Sequence, residues 1–286
     1  MSDNVRLPSL STFPRLLMHH AQVRPNHPAT REKDMGIWQT WDWSQVAEEV
    51  RAMASGLAEL GFKRGDNLAI IGDNRPRLYW AMYVAQCLGG VPVPLYQDAV
   101  AAEMVFVLQD AGIKFAIVED QEQVDKLLEN RAQCPELAHI LYDDPRGLRH
   151  YNQPFLHGLD EVQEMGRIHN RNHPEFIDGE IALGQPEDVG VMLYTSGTTG
   201  KPKGVCLTHG AFIAAAQSGC EFDKLGPDDN ILSYLPMAWV GDHLFSFAQA
   251  TYAGFTINCP ESGDTVMTDM REIGPSYYFA PPRVFE

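Results

Sequence analysis

The sequence Tyr-Thr-Ser-Gly-Thr-Thr-Gly-Lys-Pro-Lys-Gly-Val occupies residues 194–205 and carries the strongest functional signal in the chain. Its glycines permit backbone torsions that other residues avoid, so the main chain can approach a ligand closely. Successive N–H groups in such a loop can surround an anion, while hydroxyl and ammonium groups contact phosphate oxygens. The residues expected to bind phosphate are Thr195, Ser196, Gly197, Thr198, Thr199, Gly200, Lys201 and Lys203.

Two other interpretations of this loop are disfavoured. A flexible linker rarely follows an apolar run such as residues 189–194 and leads into a helix, here predicted from about Thr208 to Ser218. A strand before the loop and a helix after it are the usual setting of a phosphate site. A Walker P-loop is excluded, because only two residues separate Gly197 from Gly200 and Pro202 replaces the required Ser or Thr.

Upstream of the loop, helical and extended patterns alternate. Apolar residues recur at helical spacing from residue 46 to residue 60, with Asp42 or Ser44 as the N-cap and Gly61 as the stop. Residues 68–71 form a short continuous apolar run, as expected of a buried parallel strand. Strands separated by helices of this length predict an α/β fold with a doubly wound sheet.

The alternation breaks at residues 143–187, which are rich in His, Asn, Pro and charged residues. This stretch is predicted to be a surface excursion or a junction between lobes. Two lobes are therefore expected. Residues 1–186 would form the first lobe, and residues 187–286 would begin the second, which carries the phosphate-binding loop.

Composition narrows the class of protein. A net charge of −16 and the lack of a basic stripe argue against a nucleic-acid partner. Five irregularly spaced cysteines without a CxxC pair argue against a disulfide framework and a zinc site. No apolar run is long enough for a transmembrane helix, and the N-terminus lacks a secretory pattern. A cytoplasmic protein is expected, with peripheral membrane association and homodimerisation left open.

Residues 194–205 resemble the signature loop of the adenylate-forming (AMP-binding) superfamily of acyl- and aryl-CoA synthetases, luciferases and peptide-synthetase adenylation domains. Residues 65–76, 88–96 and 235–239 resemble other family segments, in the right order. Residues 115–126 and 279–286 are similar to long-chain acyl-CoA synthetases. The chain thus resembles the N-terminal portion of such a synthetase over essentially its whole length.

This resemblance implies ATP-dependent activation of a fatty acid through an acyl-adenylate, followed by transfer to coenzyme A. The products would be acyl-CoA, AMP and pyrophosphate, and the reaction would require ATP, Mg²⁺ and coenzyme A. Lys201 and Lys203 are expected to be catalytic by stabilising the leaving pyrophosphate, and Thr195 is expected to ligate Mg²⁺. The expected acyl-pocket residues are Met237, Trp239, Val240 and Gly241.

Alternatives remain open from the sequence. Trp239 stands where long-chain members commonly have histidine, so the acid could instead be short-chain or aromatic. An amino-acid substrate is disfavoured, because Met237 and Ala238 offer no acidic partner for its ammonium group. The rival from another class is a non-catalytic nucleotide- or acyl-binding fragment. Further family elements are expected beyond residue 286, so the chain alone is expected to be inactive.

Two polar features receive structural interpretations. His169 and His173 lie four residues apart, but Pro174 follows and no HExxH glutamate lies between them, so surface histidines are predicted rather than a metal site. Asp242 precedes a helical stretch near the expected acyl pocket, and a helix cap is the simpler interpretation of it.

Two clusters outside the loop are also given structural roles. Glu119 and its acidic neighbours are predicted to form a solvated helix start, where they would favour the helix dipole. Trp38, Trp41 and Trp43 alternate in a strand-like stretch and are predicted to pack at a sheet edge.

Overall fold

The computed structural model describes residues 10–195 and 202–280. The strands are β1 (Pro28–Asp34), β2 (Ile37–Asp42), β3 (Asn67–Ile71), β4 (Val91–Leu95), β5 (Ile113–Val118), β6 (His139–Tyr142), β7 (Leu156–Gly158), β8 (Val189–Thr195), β9 (Lys203–Thr208), β10 (Asn230–Leu232) and β11 (Thr256–Cys259). None of the helices in these two ranges has the length and apolar character needed to cross a bilayer.

Helices separate most of these strands, as the alternation in the sequence predicts. They are α1 (Phe13–Val23), α2 (Trp43–Glu59), α3 (Pro76–Cys87), α4 (Ala101–Asp110), α5 (Gln121–Asn130), α6 (Leu159–Asn172), α7 (Phe176–Leu183), α8 (His209–Asp223), α9 (Val240–Asp242), α10 (Gln249–Ala253) and α11 (Val266–Ile273). A 3₁₀ turn covers Arg131–Gln133, and a π-helical stretch, His243–Ala248, joins α9 to α10.

A five-stranded parallel sheet with the order β4-β3-β5-β6-β7 forms the first half of the fold. Both of its faces are covered. In β3, Leu68 and Ile70 belong to one core cluster, while Ala69 and Ile71 belong to another on the opposite face. This alternation explains the continuous apolar run, because successive strand residues point to opposite faces and both faces here are buried. The predicted doubly wound α/β fold is confirmed.

A second sheet, ordered β10-β11-β1-β2, joins residues that are far apart in the chain. β1 pairs in parallel with β11 and antiparallel with β2, which forms the edge. Trp38 and Trp41 lie on this edge strand as predicted, but Trp43 begins α2 and is buried. The sheet crosses the predicted boundary between residues 186 and 187, and that division into lobes stays a prediction.

The predicted N-cap of α2 is confirmed, because Asp42 forms a reciprocal capping box with Gln45.

The prediction of a surface excursion or lobe junction at residues 143–187 is wrong for the part that forms helix α6. Helix α6 packs directly on α2, where a Cβ added to Gly166 would lie 1.7 Å from the carbonyl oxygen of Ala52. Glycine allows the two backbones to approach this closely. The sequence pattern missed α6 because its buried stripe includes Gln163 and Gly166, while the apolar side chains of Met165 and Ile168 are exposed.

The segment after the glycine-rich loop also differs from the prediction. The helix predicted from about Thr208 is confirmed as α8, which the Thr208 hydroxyl caps, but strand β9 lies between the loop and this helix and pairs antiparallel with β8. The expected strand–loop–helix phosphate site is therefore wrong in this detail. The loop joins two strands of a hairpin, and the N-terminus of α8 lies at the far end of β9 from it.

Candidate functional site

The two ends of the glycine-rich loop are fixed by the β8–β9 hairpin. Thr195 ends β8 and pairs directly with Lys203, the first residue of β9. Residues opposite each other in an antiparallel pair project from the same face, so the hydroxyl and the ammonium group share one surface. Both residues are exposed. This pair can contact one anion jointly.

The other predicted phosphate-binding residues fall inside the loop itself. Ser196, Gly197, Thr198, Thr199, Gly200 and Lys201 lie outside the described residues. Their predicted roles, and the catalytic role of Lys201, stay predictions. The hairpin places the two described members, Thr195 and Lys203, at the base of this loop.

The hairpin is held against the first half of the fold by Tyr194. The Tyr194 hydroxyl donates to Asp110 Oδ2 at 2.7 Å, which ties β8 to the end of α4. Partial burial and this hydrogen bond raise the pKa of Tyr194, so the phenol stays protonated. Its ring covers Gly204, where an added Cβ would lie 3.1 Å from the ring carbon Cζ. A glycine at this cross-strand position leaves room for the aromatic ring.

An apolar cavity of about 270 Å³ opens beside the hairpin base. Its lining joins three parts of the chain: the end of β4 with α4, the hairpin, and the segment after β10. The residues that define it are Leu95, Tyr96, Met104, Thr195, Pro202 and Ala238. The cavity thus brings the phosphate-loop residue Thr195 next to Ala238, which lies within the expected acyl-pocket segment.

The expected acyl-pocket residues occupy different environments. Met237 is buried in the main core, and Val240 is 47% exposed. Trp239 packs its ring over Gly241, where an added Cβ would lie 2.8 Å from two indole carbons, so glycine is required there. The Trp239 ring also lies 6.0 Å from the ring of Phe279, measured between centroids. Ala238, between Met237 and Trp239, is the member of this segment that lines the cavity.

Asp242 does not cap a helix, and that prediction is wrong. Its carboxylate is fully buried and makes no capping hydrogen bond. Instead it accepts from the Tyr79 hydroxyl at 2.8 Å and from Ser233 Oγ at 2.9 Å. Burial raises the pKa of Asp242 to about 6, although hydrogen bonds from Tyr79, Ser233 and Ser246 partly oppose the shift. A carboxyl group poised near neutral pH is one mark of a functional region.

Sequence reasoning missed the partners of Asp242. Asn74 lies after β3, and its Nδ2 is 2.9 Å from the carbonyl oxygen of Leu235 and 3.0 Å from Ser233 Oγ. A polar residue just past the carboxyl end of a buried parallel strand is a recognisable signal, because ligand sites form there. The sequence did not indicate a polar role for Tyr79, since its ring is typical of the apolar residues that α3 buries.

The carboxyl ends of β3 and β5 border a separate charged crevice of about 570 Å³. Two of its charged groups, Glu119 and Arg75, pair with each other. Glu119 accepts from the backbone N–H of Asp73 at 2.6 Å and from Arg75 Nε at 2.9 Å, and Arg75 also donates to the carbonyl oxygens of Pro260 and Glu261. The prediction of a solvated helix start is confirmed for Asp120, which caps α5, and for Glu122 in its first turn, but it is wrong for Glu119. Its carboxylate instead links the two sheets through Arg75.

The histidine pair on α6 is engaged with protein groups. His169 Nδ1 lies 2.5 Å from Glu59 Oε1, and the rings of His169 and exposed His173 are 4.7 Å apart. His169 is therefore only partly a surface residue. Across residues 10–195 and 202–280, no group of three or more His, Cys, Asp or Glu side chains is arranged to hold a metal ion.

Thr195 fits Mg²⁺ only as part of a nucleotide complex. One hydroxyl beside an ammonium group cannot hold a divalent cation alone, but Mg²⁺ commonly takes substrate phosphates and waters as most of its ligands. Thr195 and Lys203 on one face suit that arrangement, because the lysine can bind the same phosphate whose oxygen ligates the metal.

Comparison with known proteins gives a consistent result. A family described as AMP-binding enzyme matches residues 17–286. A long-chain-fatty-acid–CoA ligase of Homo sapiens is 28% identical over 258 residues, covering 87% of this chain and 35% of that protein. A second such ligase, of Xenopus laevis, is 28% identical over 295 residues, covering 100% of this chain and 39% of that protein.

Among solved structures, an anthranilate CoA ligase in complex with anthranoyl-AMP superposes with a TM-score of 0.79 at 20% identity. The match covers 94% of this chain and 49% of that one, and it establishes similarity of fold. The chain spans between about a third and two-fifths of the length of the two curated relatives named above.

Proposed function

The chain belongs to the AMP-binding enzyme family, and from that premise we propose that it serves ATP-dependent activation of a fatty acid for transfer to coenzyme A. The observation that carries the proposal is the hairpin base, where Thr195 and Lys203 share one face beside an apolar cavity lined by Ala238. An anion site next to an apolar cavity suits a reaction between a nucleotide phosphate and a lipophilic acid. The family relatives named as long-chain-fatty-acid–CoA ligases support the same substrate class.

In the proposed reaction, a carboxylate oxygen of the acid attacks the α-phosphorus of ATP. The bond from that phosphorus to the bridging oxygen breaks, and pyrophosphate leaves with the negative charge. Lys203, with Lys201 from the loop, would stabilise this charge electrostatically. Thr195 would hold Mg²⁺ against the same phosphates, and the ion would supply further charge neutralisation.

The second proposed step is transfer of the acyl group. The sulfur of coenzyme A attacks the acyl carbon of the acyl-adenylate, the thiol proton is lost, and AMP leaves. The cavity beside Ala238 would exclude water from the acyl end of the adenylate, since its lining is mostly apolar. Magnesium dependence is part of this proposal.

The test is acid-dependent ATP–pyrophosphate exchange with the protein as its gene encodes it, using acids from acetate to palmitate together with benzoate. We expect exchange to be greatest with the long-chain acids and to require Mg²⁺. Lys203→Ala should lower exchange by about 10²-fold, the loss typical when one charge-stabilising group is removed. Lys224→Ala removes a lysine from the C-terminal end of α8 and serves as the matched control.

Each other outcome identifies a different function. Greatest exchange with short or aromatic acids would keep the mechanism and change the substrate class, with Trp239 as the residue that restricts the pocket. A folded protein that binds ATP but exchanges with none of the acids would contradict the ligase proposal and favour a binding protein.

A further inference from the structure

The segment from Leu235 to Asp242, which follows β10 and includes α9, is anchored at two points to the junction of β3 and α3. At its start, Asn74 Nδ2 donates to the carbonyl oxygen of Leu235 at 2.9 Å. At its end, the Asp242 carboxylate accepts from the Tyr79 hydroxyl at 2.8 Å. Residues 236–241 lie between these anchors. This interval contains Ala238, which lines the cavity beside the hairpin.

Ser233 closes the network that joins the two anchors. Its hydroxyl donates to Asp242 Oδ1 at 2.9 Å, lies 3.0 Å from Asn74 Nδ2, and is in close contact with the Tyr79 hydroxyl. All four side chains are buried. The network therefore fixes the start of the segment relative to its end, and fixes both relative to the first sheet.

A stabilising role alone explains Asp242 poorly. Its carboxylate has zero exposure, and its hydrogen-bond donors among the described residues are neutral hydroxyl and amide groups. Burying a carboxylate without a cation is costly, and an uncharged side chain would fill the same volume with less penalty. Such a cost is usually tolerated where a particular geometry is needed.

We propose that Asp242 is a positioning residue for acid binding, which acts by holding residues 236–241 in place through Tyr79, Ser233 and Asn74. The inference rests on the proposed function, because it takes the cavity beside Ala238 as the acid site. The Asp242 carboxylate does not contact the acid. It sets where Ala238 and Trp239 lie relative to the hairpin base, and thereby how tightly the acid is bound before it reacts.

The first measurement is kinetic and uses Asp242→Asn in the full-length protein. Asparagine has the same shape, but its NH₂ group replaces one accepting oxygen and faces a hydroxyl that donates to the carboxylate, so the anchor is weakened. We expect the KM for the acid in ATP–pyrophosphate exchange to rise about tenfold, equivalent to about 1.4 kcal/mol. The KM for ATP and the maximal rate should change by less than about twofold. Tyr79→Phe removes one donor and should raise the KM in the same direction by a smaller factor.

The second measurement reports the position of the segment without using activity. With 5-fluorotryptophan labelling, each tryptophan gives a ¹⁹F resonance, and those of Trp239 and Trp38 are assigned from Trp239→Phe and Trp38→Phe. Asp242→Asn should shift the Trp239 resonance and leave that of Trp38 unchanged. The control is Glu272→Gln, because Trp38 Nε1 donates to Glu272 Oε2 at 3.1 Å. It should shift Trp38 and leave Trp239 in place.

The outcomes separate this inference from the proposed function. An unshifted Trp239 resonance, or a rise in KM that is equal for acid and ATP, would overturn the positioning role of Asp242 even if the wild-type protein exchanges with long-chain acids. Absence of exchange by the wild-type protein with every acid would overturn the proposed function itself.

Discussion

Two regions of the molecule each bury an aspartate completely, one around Asp269 and the other around Asp242. In the first region, the ammonium group of Lys33 lies 2.8 Å from Asp269 Oδ1. The Thr265 hydroxyl and the backbone N–H of Glu261 donate to the other carboxylate oxygen, at 2.6 Å and 2.9 Å. Burial alone would raise the pKa of Asp269, but these donors outweigh it and the pKa is lowered.

Among residues 10–195 and 202–280, no cation compensates for Asp242 in the second region. Its donors are the hydroxyls of Tyr79, Ser233 and Ser246, and burial raises its pKa to about 6. Both carboxylates have zero solvent exposure, but Asp242 lies deeper in the protein than Asp269, so the depth of burial and the neighbours both contribute to the difference in pKa. A charge that is paired within the fold acts as a structural tie. A buried carboxyl without a cation is instead the kind of group that marks a functional region.

The largest expected effect comes from breaking the paired site. Asp269→Asn leaves the buried ammonium group of Lys33 with Glu272 as its one anionic partner among the residues that the structure describes, so we expect the free energy of unfolding to fall by about 3–5 kcal/mol. Urea denaturation at neutral pH measures this loss. The comparison of the two regions predicts a much smaller loss for Asp242→Asn under the same conditions, because no cation is left unpaired.

Glu272→Gln provides the control for the paired site. Glu272 also contacts Lys33, at 2.7 Å, but its side chain is 44% exposed. Exposed ion pairs usually contribute no more than about 1 kcal/mol. If Glu272→Gln destabilises the protein as much as Asp269→Asn does, the exclusion of Asp269 from solvent is not what makes its pairing with Lys33 the stronger of the two.

The second prediction concerns the pH dependence produced by Asp242. Its folded-state pKa of about 6 lies above the unfolded value of 3.8, so the folded state holds a proton that the unfolded chain has lost. Through this group, stability is greatest below about pH 4 and falls as the pH rises to about 6. The total change is about 3 kcal/mol, because each pKa unit corresponds to about 1.4 kcal/mol.

Asp242→Asn removes this contribution. Relative to wild type, its free energy of unfolding should therefore increase by about 3 kcal/mol between pH 4 and pH 7. Denaturation curves at several pH values measure the difference. Asp269→Asn should give the opposite trend, because the pKa of Asp269 is lowered and its stabilisation is lost as the pH falls. Parallel pH curves for Asp242→Asn and wild type would contradict the raised pKa.

Much of the fold was predictable because its signals are local. Strand β3 and helix α3 follow from a continuous apolar run and from helical spacing, and the cap at Asp42 needs only Gln45, three residues on. Helix α6 and strand β9 were not predictable in this way. The first depends on close contact with α2, and the second depends on pairing with β8, which a pattern along one segment does not show.

The site was predictable only in part for the same reason. The phosphate-binding loop is continuous in sequence, so its residues could be named before the structure, although their roles stay predictions. The partners of Asp242 could not be named. Tyr79 and Asn74 are 163 and 168 residues away in the chain, and only the packing of β10 and α9 near β3 brings them together. Without those partners, a helix cap was the simplest interpretation of Asp242.

The smallest expected effect tests His243, which adjoins Asp242 in the uncompensated region. Its imidazole is fully buried among Phe13, Phe212 and Phe247, and neither ring nitrogen has a hydrogen-bond partner among the described residues. Burial lowers the pKa of His243 to about 3. Between about pH 3 and pH 6.5, His243 is protonated in the unfolded chain and neutral in the folded protein. Through this group, the free energy of unfolding therefore rises as the pH increases from about 3 to 6.5.

His243→Phe keeps a ring of suitable shape and removes the titratable group. Wild-type stability should fall by about 2 kcal/mol more than that of the variant between pH 6.5 and pH 5, because each pKa unit corresponds to about 1.4 kcal/mol. The sign is opposite to that for Asp242, since burial excludes the charged form of both groups but one is a base and the other an acid. The exposed imidazole of His150 provides the control, and His150→Gln should leave the wild-type slope in place. If stability depends on pH equally in His243→Phe and wild type, the buried imidazole is charged or has a hydrogen-bond partner. In that case His243 would no longer support the contrast between the paired and uncompensated regions.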